Sequence, residues 1–237
     1  PLGAAYAEGR GAVMGSPMVL AAEMERTKGR PDRACERIRG YGVTGLSFVS
    51  GHILAFHRAT QSSIGPAYTA IWHRSPEGIW MAIVDVDPER ACGRYFGSAF
   101  QRVLVDRIEL EWEGRKRLHL RAPAARLQWA IRLASDPATR LLSWVTRALP
   151  EGLREQEWAL GILGRAAGWT VGTGSSSLTG RTPNGQRFAA VPRTVWRVEA
   201  SAAVAGGEDL GPLGPHPAQA RIGEIRTAFA DREGMPI

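Results

Sequence analysis

Lysine and asparagine are almost missing from this chain of 237 residues: Lys28 and Lys116 are its lysines and Asn184 its asparagine. The formal charge of +7 and the pI of about 10.2 therefore rest on arginine. Plentiful Arg, Ala and Gly with scarce Lys and Asn is the usage of a GC-rich coding genome. Arginine holds its proton at any physiological pH, so the bias lifts the pI without a functional cause. Positive charge still favours acidic partners such as nucleic acid or an anionic membrane. Cysteine is scarce as well. Cys35 and Cys92 make neither a disulfide framework nor a zinc pattern; free thiols in a reducing cytosol are expected, with the protein cytoplasmic. No run approaches 18 apolar residues, which excludes a spanning helix. The first residues show no basic segment followed by an apolar one, so no signal peptide is expected.

What is present is a core and a strand rhythm. Hydrophobic residues make up 44% of the chain, and 8 tryptophans supply bulky anchors. Residues 1–17 read as a loose arm and 18–39 as a helix broken near Gly29-Arg30-Pro31. From Leu46 to His57 the period is two, with neither face strongly polar, as in a strand covered on both sides. Tyr68–Arg74 and Ile79–Val86 flank Ser75-Pro76-Glu77-Gly78, a type I turn running into a bulge. If Ser75 opposes Ile79, His73 faces Met81 and Trp72 faces Ala82. A second hairpin around Gly114-Arg115-Lys116 pairs Glu113 with Arg117, Glu111 with His119 and Glu109 with Arg121, each a favourable cross-strand pair. Leu127–Leu133 alternates as a third strand.

The period then turns helical. Ser135-Asp136 before Pro137 starts a helix whose stripe is Leu141, Leu142, Val145 and Leu149, and a second helix runs from about Glu151 to Ala167. Leu178–Thr182 and Gln186–Val191 flank Pro183-Asn184-Gly185, a strong hairpin signal. Pro192 breaks that run, and Thr194–Val204 is a further strand. Residues 206–217 read as a Gly/Pro linker, and Ile222, Ile225 and Phe229 have helical spacing. The fold class is thus mainly β, an antiparallel barrel or strongly curved sheet with a helical insert near 137–168. The division is an arm and helix over 1–40, a β-rich domain over 41–205, and a linker and tail over 206–237.

Few segments carry chemistry. Gly40-Tyr41-Gly42-Val43-Thr44-Gly45 matches the letters of a dinucleotide loop. The phosphate needs a strand before it and a helix after; here the order is reversed, so a turn is expected and no cofactor. None of His52, His57, His73, His119 and His216 pair at helical metal spacing, so no metal site is expected. Asp85 and Asp87 could share acid/base work, although Pro88 marks a strand end. His52 and His73 sit among apolar neighbours on a β face, either as satisfied core residues or as a pocket acid and base. Residues 26–39 carry six positive and two negative charges without aromatic interleaving. The arginines of the helical pair admit contact with a membrane surface, or packing over a barrel end.

The segments Tyr68–Trp80 (YTAIWHRSPEGIW), Pro183–Val198 (PNGQRFAAVPRTVWRV) and Glu208–Gly214 (EDLGPLG) resemble those of an uncharacterised family from high-GC bacteria, over roughly residues 66–220. That resemblance implies no activity. By strand pattern the chain also resembles, more distantly, calycin-like barrels: the lipocalins and the lipocalin-like carotenoid hydratases. Their hallmark motifs are not evident here. The resemblance implies a barrel, and a small barrel lined by Trp, Phe, Leu and Tyr is one way proteins hold apolar ligands.

The leading expectation is therefore binding of a small apolar or amphipathic molecule, with His52, Phe56, Trp72, His73 and Trp80 lining the pocket and Arg58 or Arg74 meeting an acidic head group. A second is an isomerase, cyclase or hydratase acting on a lipid-like substrate, with His52 or His73 as acid/base. A third is contact with nucleic acid or an anionic surface through 26–39.

Overall fold

Turn residues set the registers, and the registers decide which side chains share a face. The computed structural model describes residues 15–27, 36–134, 136–148, 156, 158–162, 178–215 and 229–233. Helix α1 (Pro17–Arg26) precedes β1 (Ile38–Ser47), β2 (Ile53–Ser62), β3 (Tyr68–Arg74) and β4 (Trp80–Val84). The short α2 (Gly93–Phe96) leads to β5 (Arg102–Val105), β6 (Glu109–Glu113), β7 (Arg117–Ala122) and β8 (Leu127–Ala134). Then come α3 (Pro137–Ala148), β9 (Thr179–Arg181), β10 (Arg187–Ala189), β11 (Val191–Ala205), β12 (Glu208–Asp209) and β13 (Phe229–Glu233).

The hairpins form in the expected registers. The Ser75 N–H donates to the Ile79 carbonyl at 2.9 Å, and His73 faces Met81 while Trp72 faces Ala82. Glu113, Glu111 and Glu109 face Arg117, His119 and Arg121. Four expectations give way. Residues 46–57 are not one strand: Gly51, at a φ of 84°, turns the chain so that Leu46 pairs with Leu54. With both faces apolar, the alternation carried no trace of that turn. The Gly40–Gly45 segment is no turn but the middle of β1. A Cβ at Gly40 or Gly42 would run into the β2 backbone at Arg58 and Phe56, so these glycines let the two strands cross closely. Residues 38 and 39, expected as helix, begin β1. Pro192 lies inside β11, tolerated at a bulge between Pro192 and Thr194.

Among the described residues one sheet runs β5-β4-β3-β2-β1-β13-β11-β8-β7-β6, with β12 beside β11; β9 and β10 form a separate hairpin. All its pairings are antiparallel except β4 with β5. Its outer strands β5 and β6 do not pair, so the sheet is a curled half-barrel. The curl is steep. Phe56 on β2 and Trp129 on β8 are four strands apart, about 19 Å on a flat sheet, yet their ring centroids lie 5.8 Å apart. The inner face is filled by Tyr41, Val43, Leu46, Phe56, Ile71, Ile83, Leu118, Trp129, Ile131 and Trp196. The outer face of β2–β4 packs a second core of Tyr68, Trp72, Trp80 and Val84 against Cys92, Tyr95 and Phe100. The sheet takes strands from all three stretches into which the sequence divides, since β1 starts at Ile38 and β13 comes from the tail. No described helix is long and apolar enough to cross a membrane.

Candidate functional site: an arginine-floored cleft beneath the first helix

Alternate residues of β1–β4 form three rows across the inner face. Leu54, His73 and Met81 make one, Phe56, Ile71 and Ile83 the next, and Arg58, Thr69 and Asp85 the third. Tyr41 faces Arg58 from β1 and extends the third row. The middle row is wholly apolar, so polar groups are confined to the two ends.

At the Arg58 end, α1 lies across the row and leaves a cleft of about 630 Å³. One side of it is apolar: Met18 and Ala21 from the helix, and Ile108, Leu110 and Trp112 from the β6 side. The other side is Tyr41, Arg58, Thr69 and Asp85. Glu25 reaches down from the last turn of α1. Arg58 Nε donates to its Oε1 at 2.9 Å and Nη2 to its Oε2 at 3.1 Å, the two-point fork by which arginine holds a carboxylate. The Tyr41 hydroxyl donates to Oε1 at 3.1 Å. Burial first, and then the Glu25 carboxylate, push that phenol well above its ordinary range. Burial works against the Arg58 charge, but the hydrogen bonds and charge of Glu25 outweigh it and raise the guanidinium above its usual value. Asp85 is held in place by the Thr69 backbone N–H, which donates to it at 2.7 Å.

At the opposite end His52 Nδ1 and His73 Nε2 are 2.8 Å apart with the rings stacked. One nitrogen of that contact carries the hydrogen and the other accepts it. Burial, and then the charge of His52, lower His73 to about 4, so its imidazole is neutral at physiological pH. His52 Nε2 lies 3.9 Å from the Glu208 carboxylate on β12. No group of three metal-ligating side chains occurs among the described residues.

The residues picked out from sequence are thus divided. Arg58 lines the cleft. Phe56 stands in the apolar middle row against Tyr41 and Trp129. His52 and His73 meet each other about 13 Å along β3 from the Arg58 row, at four residues of strand rise. Trp72, Arg74 and Trp80 have the opposite parity and project from the outer face, where Trp72 Nε1 donates to Cys92 Sγ at 3.3 Å. Burial raises that thiol to about 12. Asp85 and Asp87 part company, since Asp87 instead accepts from the Glu89 N–H of the next helical turn. Glu25, Tyr41, Thr69 and Trp112 were not singled out from sequence. The parity of Arg58, Thr69 and Asp85 could have grouped those three; nothing local could have brought Glu25 to them. Of the basic stretch 26–39, residues 28–35 lie outside the described residues, and Arg26 is exposed.

No protein-family model matches the chain, and no curated protein matches it. Among solved structures, the acetoacetate decarboxylase of Legionella pneumophila subsp. pneumophila str. Philadelphia 1 is similar over 97% of this chain and 96% of its own. The identity is 10% and the TM-score 0.40. Likeness of that degree says nothing of chemistry. The protein is a mainly β, half-barrel protein.

Proposed function

We propose that the protein binds a small amphipathic acid in the cleft beneath α1, its acidic head on Arg58 and its apolar part along Ile108, Leu110 and Trp112. The observation that carries this reading is the Arg58–Glu25 fork. A guanidinium on the inner face of a sheet already grips a carboxylate, and that carboxylate arrives on a helix at the mouth of an apolar-sided cleft. Glu25 occupies the position a ligand's carboxylate would take, so ligand and Glu25 exchange. An arginine fork is specific for a planar two-oxygen partner, which favours an acid over an alcohol of the same length.

Titration calorimetry with decanoate and decanol tests this. Decanoate binds and decanol does not. Arg58→Met weakens decanoate by about 10-fold or more, the usual loss for a charged hydrogen-bonded pair. Glu25→Gln removes the competing carboxylate and tightens it. Equal binding of acid and alcohol, or the same affinity in Arg58→Met, would sink the reading.

A second reading is an enzyme of the isomerase, cyclase or hydratase kind on such a ligand. It is favoured by a phenol and a carboxylate, Tyr41 and Asp85, sharing the cleft with Arg58. In that case Tyr41→Phe abolishes turnover of the bound acid while leaving its affinity near that of the parent. His52→Gln and His73→Gln tell whether the distant pair takes part.

A further inference from the structure

Helix α3 is seated on the sheet by a mixed face, in which Leu142 and Val145 pack with Val191 and Val195 of β11 beside a row of hydroxyl groups. Thr139, Ser143 and Thr146 are buried. Ser143 Oγ accepts from the Val195 N–H at 3.0 Å, and Thr146 Oγ1 donates to the Arg193 carbonyl at 2.8 Å, so the contact is pinned to the β11 backbone. That orientation commits the other side of the helix outward. Leu141 and Trp144, one turn apart, are 62% and 64% exposed. The helical turn 158–162 packs beside α3 through Leu160 and Leu142 and likewise exposes Trp158 and Ile162, again one turn apart. Four large apolar side chains, two of them tryptophan, thus stand outward on one small layer.

The charge of that layer is one-sided. Its described parts are α3, residues 158–162 and the β9–β10 hairpin, near which Leu178 and Ala189 pack against the same apolar cluster as Leu142 and Leu160. They contain Arg140, Arg147, Arg181 and Arg187 and no acidic residue. Over the whole stretch 137–191 six arginines stand against Glu151, Glu155 and Glu157. Outward Trp and Leu beside an excess of arginine is the chemistry of a helix lying in the headgroup layer of a bilayer. There the indole and aliphatic groups enter the acyl boundary and the guanidinium groups meet anionic lipid.

We infer that the α3 layer docks the protein on an anionic membrane surface, with Leu141 and Trp144 inserted and Arg140 at the phosphates. None of these residues lines the Arg58 cleft, so the inference stands apart from the reading of that site.

Co-sedimentation with vesicles tests it, comparing phosphatidylcholine alone with a 3:1 mixture of phosphatidylcholine and phosphatidylglycerol. The full chain binds the mixed vesicles, and binding to phosphatidylcholine is roughly tenfold or more weaker. Leu141→Ser/Trp144→Ser loses most of the binding at an unchanged urea midpoint, since both positions are exposed. Arg140→Gln weakens binding to mixed vesicles and leaves the phosphatidylcholine level unchanged. No sedimentation with mixed vesicles overturns the inference, as does full binding by the double variant. A dimer that the double variant splits also overturns it, because the face is then covered by a second copy.

Discussion

His73 is held uncharged by burial and by His52, and that has a consequence for stability. Its folded value is lowered to about 4 from an ordinary 6.5. The unfolded chain therefore takes up a proton near pH 6.5 that the folded chain refuses until about pH 4. The stabilisation is fully present above pH 6.5 and drains away as pH falls towards 4, by up to about 3 kcal/mol. Urea unfolding at pH 7.5 and pH 4.5 measures it, with His73→Gln as the comparison. The parent loses markedly more stability between the two pH values than the variant, and equal losses would show that His73 carries no such penalty. At this scale the sequence was partly legible. The alternation Trp72, His73, Arg74 already assigns His73 to one face and its neighbours to the other. The partner of His73 was not legible, because His52 reaches it only through the pairing of β2 with β3 that sets Leu54 opposite His73. The cleft's acid was hidden for the same kind of reason: Glu25 and Arg58 are 33 positions apart and joined by a side-chain fork alone.

Elements differed in how openly the sequence displayed them. The β3–β4 and β6–β7 hairpins were readable to the residue, since turn chemistry and cross-strand charge both report register. Helix α3 was readable in extent: Asp136 Oδ1 accepts from the Thr139 N–H at 2.8 Å as its cap, and Pro137 opens it. Its buried face was half legible. Leu142 and Val145 of the apolar stripe pack in a cluster with Val191 and Val195, whereas Leu141 is exposed and Thr139, Ser143 and Thr146 share the buried side. The hydroxyls belong there because they satisfy β11 backbone groups beside a proline bulge that interrupts regular pairing. A prediction belongs at this level. Ser143→Ala leaves the Val195 N–H without its acceptor and costs about 1–3 kcal/mol, while Leu141→Ser changes stability by less than about 0.5 kcal/mol. Urea midpoints at constant slope measure both. The reverse ranking would mean that the helix is seated the other way round.

Taken as a whole, the molecule is two strand groups joined by one strand. Strands β1–β5 form a first group and β6–β8 with β11 a second, and β13 is the backbone link between them. It pairs with β1 from Val43 to Arg39 and with β11 from Val191 to Trp196. A chain ending at residue 228 leaves β1 and β11 as open edges. It is expected to self-associate and to lose its single cooperative unfolding step, which size-exclusion chromatography and circular dichroism would register. A monomer with the parent's midpoint would show that the halves hold together by their inner faces alone. The linking strand is also made after every other described strand. During synthesis both halves therefore wait, each with one unpaired lip and an apolar inner surface, until the last part of the sheet has left the ribosome. The interval in which it is vulnerable to sticking is set by the length of chain between β12 and β13, not by the speed at which its hairpins close.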